Sequence, residues 1–166
     1  MKLLLFFLSL FTVSLYAQEK KTVEFLNREL RWELKNQLKN TDRIERYDTL
    51  KVTEPFVIKN GILSISVQRK KNEYSEKEDR YVETTVVQKQ EVPLKKIVKL
   101  IKDINVIFVT EPNAVKVYEN GKEAYADHLF FLQLCCSERY NEVWAEELLD
   151  LLKKSGYSIE LENWYD

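Results

Sequence analysis

The sequence predicts an α+β fold in which an antiparallel β-sheet has one amphipathic helix before it and another after it. Two Asn-Gly dipeptides, at positions 60–61 and 120–121, each lie between segments that alternate apolar and polar residues. Asn-Gly is typical of a two-residue β-hairpin, because a type I′ turn needs positive φ at both central positions. Near each end of the chain, apolar residues recur every three to four positions, as in helices that bury one face. We therefore expect helices at about 22–40 and 137–155, with the sheet at about 54–134 packed against them.

The first seventeen residues form a segment of their own. Lys2 is followed by an apolar run from Leu3 to Leu15, and the small residue Ala17 precedes a polar stretch. This order is typical of a cleavable signal peptide. A membrane-spanning helix needs about 20 apolar residues, and this run is shorter. We expect cleavage after Ala17 and export to the periplasm or the medium, with no transmembrane span and, since no cysteine adjoins the cut, no lipid anchor there.

Composition predicts a single domain at residues 18–166. Removing 17 of the 166 residues leaves 149, and a chain of roughly 150 residues can bury about 70% of its unfolded surface in one core. The 45% apolar and 12% aromatic residues are enough to build that core. Without Lys2, 25 basic residues stand against 27 acidic ones, a formal charge of −2. Because nucleic-acid-binding proteins are usually basic on at least one face, we expect no nucleic-acid partner.

The first helix follows from the spacing of one apolar stripe. Thr22 can cap its first turn, and charged residues are expected on the faces outside the stripe. Phe25 and Trp32 lie beside the stripe and can widen the buried face or cover the join with the sheet. The stripe itself consists of Val23, Leu26, Leu30, Leu34 and Leu38.

The middle of the chain alternates apolar and polar residues, which is the period of strands with one buried face. Strands are expected at 56–59, 63–68, 81–88, 106–109, 114–119, 122–126 and 129–134. The last of these is apolar on both faces, which predicts a central strand. Positions 94–102 fit a helix or a strand, and we favour a short helix because a strand would put Ile97 and Val98 on opposite faces. Residues 157–166 either add a short strand or lie against the surface.

The second helix is the clearer of the two. Acidic residues precede basic ones along it, as the helix dipole prefers, and Gly156 stands where a C-terminal cap belongs. Its apolar stripe consists of Trp144, Leu148, Leu151 and Leu152.

Few residues are suited to catalysis or to metal binding. His128 is the one histidine, and Cys135 and Cys136 lie seven or eight residues further on, which along one strand is about 23–26 Å. One histidine and two adjacent cysteines do not complete a tetrahedral metal site. The three glycines are scattered, which excludes the familiar phosphate loops. We predict no catalytic residue, no metal and no cofactor.

Two groups of residues are candidates for interaction. Trp164 and Tyr165 belong to the aromatic types enriched at interfaces. Packing of these two residues against the domain's own sheet is the alternative. On a strand, Cys135 and Cys136 point to opposite faces. The outward thiol, which we assign to Cys136, could join two copies into a dimer, and burial of both cysteines at a strand end is the alternative.

A charged linker at 69–80 supplies the other candidates, Arg69, Lys70 and Lys71. Clustered cations can bind a phosphate. Acidic residues are mixed among them, which favours a solvated loop.

The order of elements resembles that of pleckstrin-homology-like domains over residues 60–155. The resemblance rests on successive strands, the strand Leu129–Leu134 and a final helix around Trp144. In that family such a helix plugs one end of a curved sheet, and the loop at 69–80 would occupy the place that often binds phosphoinositides. An exported chain rarely meets those lipids, so we do not transfer the activity, and the N-terminal helix is additional to the family's pattern.

Taken as a whole, the sequence predicts an exported, soluble, non-enzymatic binding or interaction module whose partner is a protein or a small molecule. Two alternatives remain open. One is an inhibitor or immunity-type protein that neutralises a partner enzyme. The other is a hydrolase with an unrecognised carboxylate site among the 27 acidic residues.

Overall fold

The computed structural model describes residues 2–37, 51–75, 77–135 and 137–164, with side chains except those of residues 2–16 and 71–73. Two α-helices lie in these ranges, α1 (Lys2–Gln37) and α2 (Glu142–Lys154). The strands are β1 (Lys51–Lys59), β2 (Ile62–Ser75), β3 (Arg80–Pro93), β4 (Ile97–Lys102), β5 (Asn105–Thr110), β6 (Val115–Glu119), β7 (Lys122–Asp127), β8 (Leu129–Cys135) and β9 (Glu160–Trp164). The α+β class is confirmed.

The strands form two sheets. One has the order β1-β2-β3-β6-β7 and the other the order β8-β5-β4-β9. Neighbouring strands are antiparallel, except that β9 runs parallel to β4. Strand β9 thus confirms the expectation of a short strand after residue 157.

Both predicted hairpin turns are present. Asn60 and Gly61 have φ angles of 53° and 71°, and Asn120 and Gly121 have 49° and 79°. Positive φ at both central residues is the signature of a type I′ turn, whose twist matches that of the flanking strands. The two Asn-Gly dipeptides therefore join β1 to β2 and β6 to β7 as predicted.

One cluster of buried apolar side chains includes residues from both sheets and both helices. Strands β2, β5, β6 and β8 contribute alternate residues, since successive side chains point to opposite faces. The cluster includes Leu26 and Leu30 of α1, Leu63, Ile65 and Val67 of β2, Val106 and Phe108 of β5, Phe130, Leu132 and Leu134 of β8, and Trp144, Leu148 and Leu152 of α2.

Helix α1 packs on α2, β1 and β8. The amide of Asn27 holds it to β1: it donates to the Phe56 carbonyl at 2.8 Å and accepts from the Phe56 N–H at 2.9 Å. This pairing satisfies both backbone groups of a buried residue, much as a neighbouring strand would.

The expected start of this helix was wrong. Helix α1 already includes Thr22, which is 1% exposed. Instead of capping a first turn, the Thr22 hydroxyl donates to the Gln18 carbonyl, one turn earlier, at 3.3 Å. The expected end near residue 40 lies outside the described residues.

The short helix expected at 94–102 was wrong for most of its length. Only Leu94–Lys96 form a 3₁₀ turn, and Ile97–Lys102 form β4. Ile97 is 5% exposed and Val98 is 40% exposed. Ile97 and Val98 do differ in exposure as in a strand, and a register shift between Ile97 and Lys99 interrupts the regular alternation of β4.

The expectation that 129–134 would be a central strand was also wrong. Strand β8 is the outer strand of its sheet among the described strands. Its apolar character has another cause, because α1 packs against it. The edge of β8 that has no described strand neighbour is reached by the side chain of Gln90, a buried residue of β3. The Gln90 Oε1 accepts the N–H of Phe131 at 3.0 Å, which replaces part of a missing strand neighbour.

The second helix begins at Glu142 and not at residue 137. The side chain of Asn141 accepts the backbone N–H of Trp144 at 3.1 Å, and an Asn in this position satisfies an N–H that the helix cannot. The C-terminal cap is confirmed: Gly156 has a φ of 86° and its N–H bonds the Lys153 carbonyl at 2.9 Å.

We expect Gly61→Ala to destabilise the protein more than Gly121→Ala. Both glycines have positive φ, which costs a side-chain-bearing residue roughly 1 kcal/mol. A Cβ at Gly61 would also lie 3.3 Å from the Tyr157 hydroxyl, whereas a Cβ at Gly121 would meet nothing within 4 Å. Urea unfolding of the two variants checks this, and equal losses would show that the Tyr157 contact has no effect.

Candidate interaction surface at the β2–β3 arm

The longest hairpin among the described residues projects beyond the rest of its sheet. Strands β2 and β3 pair continuously from Ile62↔Pro93 to Ser75↔Arg80. The pairing of β1 reaches Gln68 and that of β6 reaches Gln88. The next seven pairs, from Arg69↔Val86 onward, have no neighbouring strand among the described residues.

We call these seven pairs and their turn, residues 69–86, the arm. At about 3.4 Å per residue, the arm extends roughly 20 Å past the sheet. The prediction of a charged loop at 69–80 is therefore wrong in part, because most of these residues lie in strands. Residues 69–75 are mostly polar, and their side chains alone do not predict a strand. Their backbone pairing with β3 holds them in one.

Two exposed tyrosines stand at the tip of the arm. Tyr74 is 52% exposed and Tyr81 is 73% exposed, and the two are direct cross-strand partners. Their rings meet edge to face with centroids 5.5 Å apart. The Tyr74 hydroxyl also donates a hydrogen bond to Asp79, which raises the pKa of Tyr74. The pair is held in place while most of its apolar surface faces solvent.

The two faces of the arm differ. On β3, Tyr81, Glu83 and Thr85 are exposed, whereas Val82 and Thr84 are half-buried and Val86 is buried. Alternating side chains point to opposite faces, so we call the exposed side the outer face. Cross-strand register places Lys70 opposite Thr85 and Tyr74 opposite Tyr81, on the same side. The described side chains of the outer face are Lys70, Tyr74, Tyr81, Glu83 and Thr85.

The predicted cationic residues do not form one cluster. Arg69 and Lys70 are neighbours on a strand and thus point to opposite faces. The Arg69 guanidinium donates to the Gln133 side chain of β8 at 3.2 Å, and the Lys70 ammonium pairs with Glu83 at 2.9 Å. Lys71 lies on β2, and its side chain is outside the described residues. Arg69 and Lys70 are therefore each engaged with a neighbour, on different sides of the arm.

Trp164 lies elsewhere, on β9 at the far edge of the second sheet. Its ring stacks on Trp144 with centroids 6.1 Å apart, and the Lys102 ammonium lies 5.8 Å from the ring centroid. Arg69 contacts β8 at the opposite edge, three strand spacings or roughly 14 Å away. The structure thus keeps Trp164 apart from the arm, and it packs Trp164 against the protein's own core. Tyr165 and Cys136 lie outside the described residues.

Sequence reasoning missed a buried polar cluster between α1 and the start of α2. Glu29 and Glu33 are both 0% exposed, although charged residues were expected outside the apolar stripe. Arg139 binds both oxygens of Glu29, at 2.6 and 3.1 Å, and the Tyr140 hydroxyl donates to Glu33 at 2.9 Å. The Arg139 guanidinium also lies 5.1 Å from the ring centroid of Trp32.

Electrostatics keep Glu29 ionised in this cluster. Burial acts to raise the pKa of Glu29, but hydrogen bonds and charges from Arg139 and Arg28 outweigh it, and the pKa lies below its ordinary value. The pKa of Tyr140 is raised by burial and by the charge of Glu33, so this hydroxyl remains a hydrogen-bond donor. These contacts from Arg139 and Tyr140 fasten α1 to the chain just before α2.

His128 immediately precedes β8, and Cys135 is the last residue of that strand. The imidazole Nδ1 of His128 is 3.2 Å from the Asp127 carboxylate, and the side chain is 61% exposed. Among the described residues, no three His, Cys, Asp or Glu side chains are placed to share a metal ion.

Comparisons with protein-family models, with curated proteins and with solved structures gave no match. The resemblance to pleckstrin-homology-like domains thus stays a prediction. In the part of the chain that the structure describes, no helix has both the length and the apolar character needed to cross a membrane.

Proposed function

We propose that this protein is an exported, non-enzymatic binding module that contacts a protein partner through the outer face of the arm. The observation that carries the proposal is the exposed pair Tyr74 and Tyr81 at the tip of a projecting ribbon. Export is supported by the apolar run Leu3–Leu15 ahead of Ala17.

The arm suits a protein partner better than a small molecule. Small-molecule sites are concave and bury most of their ligand, whereas a two-stranded ribbon that leaves its sheet is convex. Tyrosine is among the side chains that contribute most binding energy at protein interfaces. The charges of Lys70 and Glu83 on the outer face pair with each other, which leaves the tyrosines as its main anchors.

The arm also has a physical reason to be covered. An isolated two-stranded ribbon is marginally stable in water at best, and the seven pairs of the arm lack a strand neighbour among the described residues. A partner that covers the tyrosines would supply the burial that the arm lacks.

Photo-crosslinking in the producing cells tests the proposal. A photoreactive phenylalanine analogue replaces Tyr81 in one variant and Tyr125 in a matched control, because Tyr125 is also a tyrosine on a strand and is 48% exposed on β7. We expect one discrete crosslinked species from position 81 in the exported fraction and none from position 125.

Two results would overturn the proposal: no crosslink from position 81, or the same species from both positions. If the crosslinked partner is an enzyme and the purified protein lowers its activity, the binding module belongs to the inhibitor class. A partner whose activity is unchanged identifies a binding module of another kind.

A further inference from the structure

The predicted cleavage point lies at the edge of the contacts that hold α1 to the body of the protein. Ala17 is exposed, and Gln18 and Glu19 are half-buried. From Glu19 onward the helix contacts the rest of the protein. The Glu19 carboxylate accepts a hydrogen bond from the Tyr157 hydroxyl at 2.9 Å, and the Asn27 side chain hydrogen-bonds to the backbone of Phe56. A cut between Ala17 and Gln18 therefore keeps each of these contacts in the released domain.

The order of events follows from the helix itself. Helix α1 runs through positions 17 and 18 without a break, whereas proteolysis concentrates in exposed and irregular chain. Cleavage must then precede completion of the helix. The domain that folds afterwards has Gln18 as its first residue, at the N-terminus of what remains of α1.

We infer that Gln18 of the mature protein cyclises to pyroglutamate, an inference that rests on the proposed export. The unprotonated α-amine of Gln18 attacks the Cδ of its own side chain. A bond forms between the amine nitrogen and Cδ, the bond from Cδ to Nε2 breaks, and Nε2 leaves as ammonia, which takes up the proton that the amine gives up. The product is a five-membered lactam, and the step needs no oxidant or cofactor. An α-amine has a pKa of about 7.7–8.0, so an appreciable fraction is unprotonated near neutral pH.

The position of Gln18 in the fold favours the lactam. A free α-ammonium would stand at the positive end of the helix dipole, which favours negative or neutral groups, and ring closure removes that charge as N-terminal acetylation does. The Gln18 carbonyl that accepts the Thr22 hydroxyl is not consumed. The side-chain Oε1 of Gln18 is buried and has no hydrogen-bond partner among the described residues. Ring closure therefore breaks no described hydrogen bond to that atom.

Mass spectrometry and Edman sequencing of the exported protein test the inference. The full chain is produced with its own leader in a bacterial host, and the protein is taken from the exported fraction. We expect a chain that begins at Gln18, has a mass lower by one ammonia and gives no Edman signal. The matched control is Gln18→Ala, which should begin at the same position with a free, sequenceable amine.

The alternative results separate the two claims. A chain that begins at Gln18 with a free amine and full mass overturns the pyroglutamate and leaves export intact. A chain that retains Met1, or that begins at another residue, overturns the predicted cleavage and the pyroglutamate with it.

Discussion

Replacing Arg139 with alanine is expected to lower the free energy of unfolding by about 3 kcal/mol. The substitution leaves Glu29, which is 0% exposed, without the guanidinium that binds both its oxygens. Breaking a fully buried ion pair by removing one partner costs about 3–5 kcal/mol. Here Arg139 is itself 40% exposed and the contact from Arg28 Nε, at 2.7 Å, remains, so the expected loss lies at the lower end of that range. Urea denaturation at neutral pH measures the loss.

The matched control is Arg28→Ala. Arg28 makes one hydrogen bond to the same carboxylate where Arg139 makes two, and its side chain is 52% exposed against 40% for Arg139. Exposed ion pairs contribute about 0–1 kcal/mol. A loss for Arg139→Ala no larger than that for Arg28→Ala would contradict the account. Adding Glu29→Gln to Arg139→Ala should restore part of the stability, because the buried charge is then removed.

The same cluster gives a pH dependence of defined sign. The pKa of Glu29 is lower in the folded protein than its ordinary value of 4.5. The stability that this carboxylate contributes is therefore fully present above that value, and it is lost as the pH falls toward the folded pKa. The stability difference between the wild type and Arg139→Ala should narrow over that acidic range. A difference that stays constant would contradict the assignment to Glu29.

Trp144→Ala is expected to cost about 3–5 kcal/mol, the range for truncation of a buried tryptophan or phenylalanine. Trp144 is 6% exposed and contacts three other aromatic rings. Those of Phe25, Tyr140 and Trp164 have centroids 5.5, 5.2 and 6.1 Å from its own. Its removal leaves a cavity where α1, α2 and β9 meet. Thermal and urea unfolding of the purified variant give the measurement.

Val143→Ala is the control for that variant. Val143 is the preceding residue on α2 and is 72% exposed, and surface substitutions of this kind usually change stability by less than about 0.5 kcal/mol. Similar losses for the two variants would show that helix propensity, and not the aromatic cluster, determines the result.

The parts of the fold predicted correctly are those specified by local chemistry. The Asn-Gly turns need positive φ at two adjacent residues, and the dipeptide supplies it. The apolar stripe of α2 and its Gly156 cap likewise depend on residues close in sequence. The order of strands within each sheet was not predicted, because it depends on pairings between distant segments, such as β3 with β6.

The errors have the same origin. Glu29 and Glu33 lie three residues after Leu26 and Leu30, on the buried stripe of α1, yet their partners Arg139 and Tyr140 are more than a hundred residues away. Spacing could have indicated that these carboxylates face inward, but not what pairs with them. Strand β8 is apolar because α1 covers it, a contact that its own residues do not reveal.

For the proposed interaction surface, the sequence indicated the same segment for a different reason. Arg69, Lys70 and Lys71 were candidates as a cationic loop, and Arg69 and Lys70 are instead spread over two faces of a ribbon. The tyrosines were not singled out, because Tyr74 and Tyr81 become a pair only through the register of β2 with β3. The alternation that predicts a strand from Tyr81 was the available signal.

The central claim is that the tip of the arm is the binding surface, and the affinity of the crosslinked partner tests it most directly. Titration calorimetry would compare the wild type, the double variant Tyr74→Ala/Tyr81→Ala and the control Tyr125→Ala. Loss of two aromatic anchors of about 1 kcal/mol or more each predicts Kd at least about 25-fold higher for the double variant, with Kd for the control and all melting temperatures unchanged. An unchanged Kd for a folded double variant would contradict the claim.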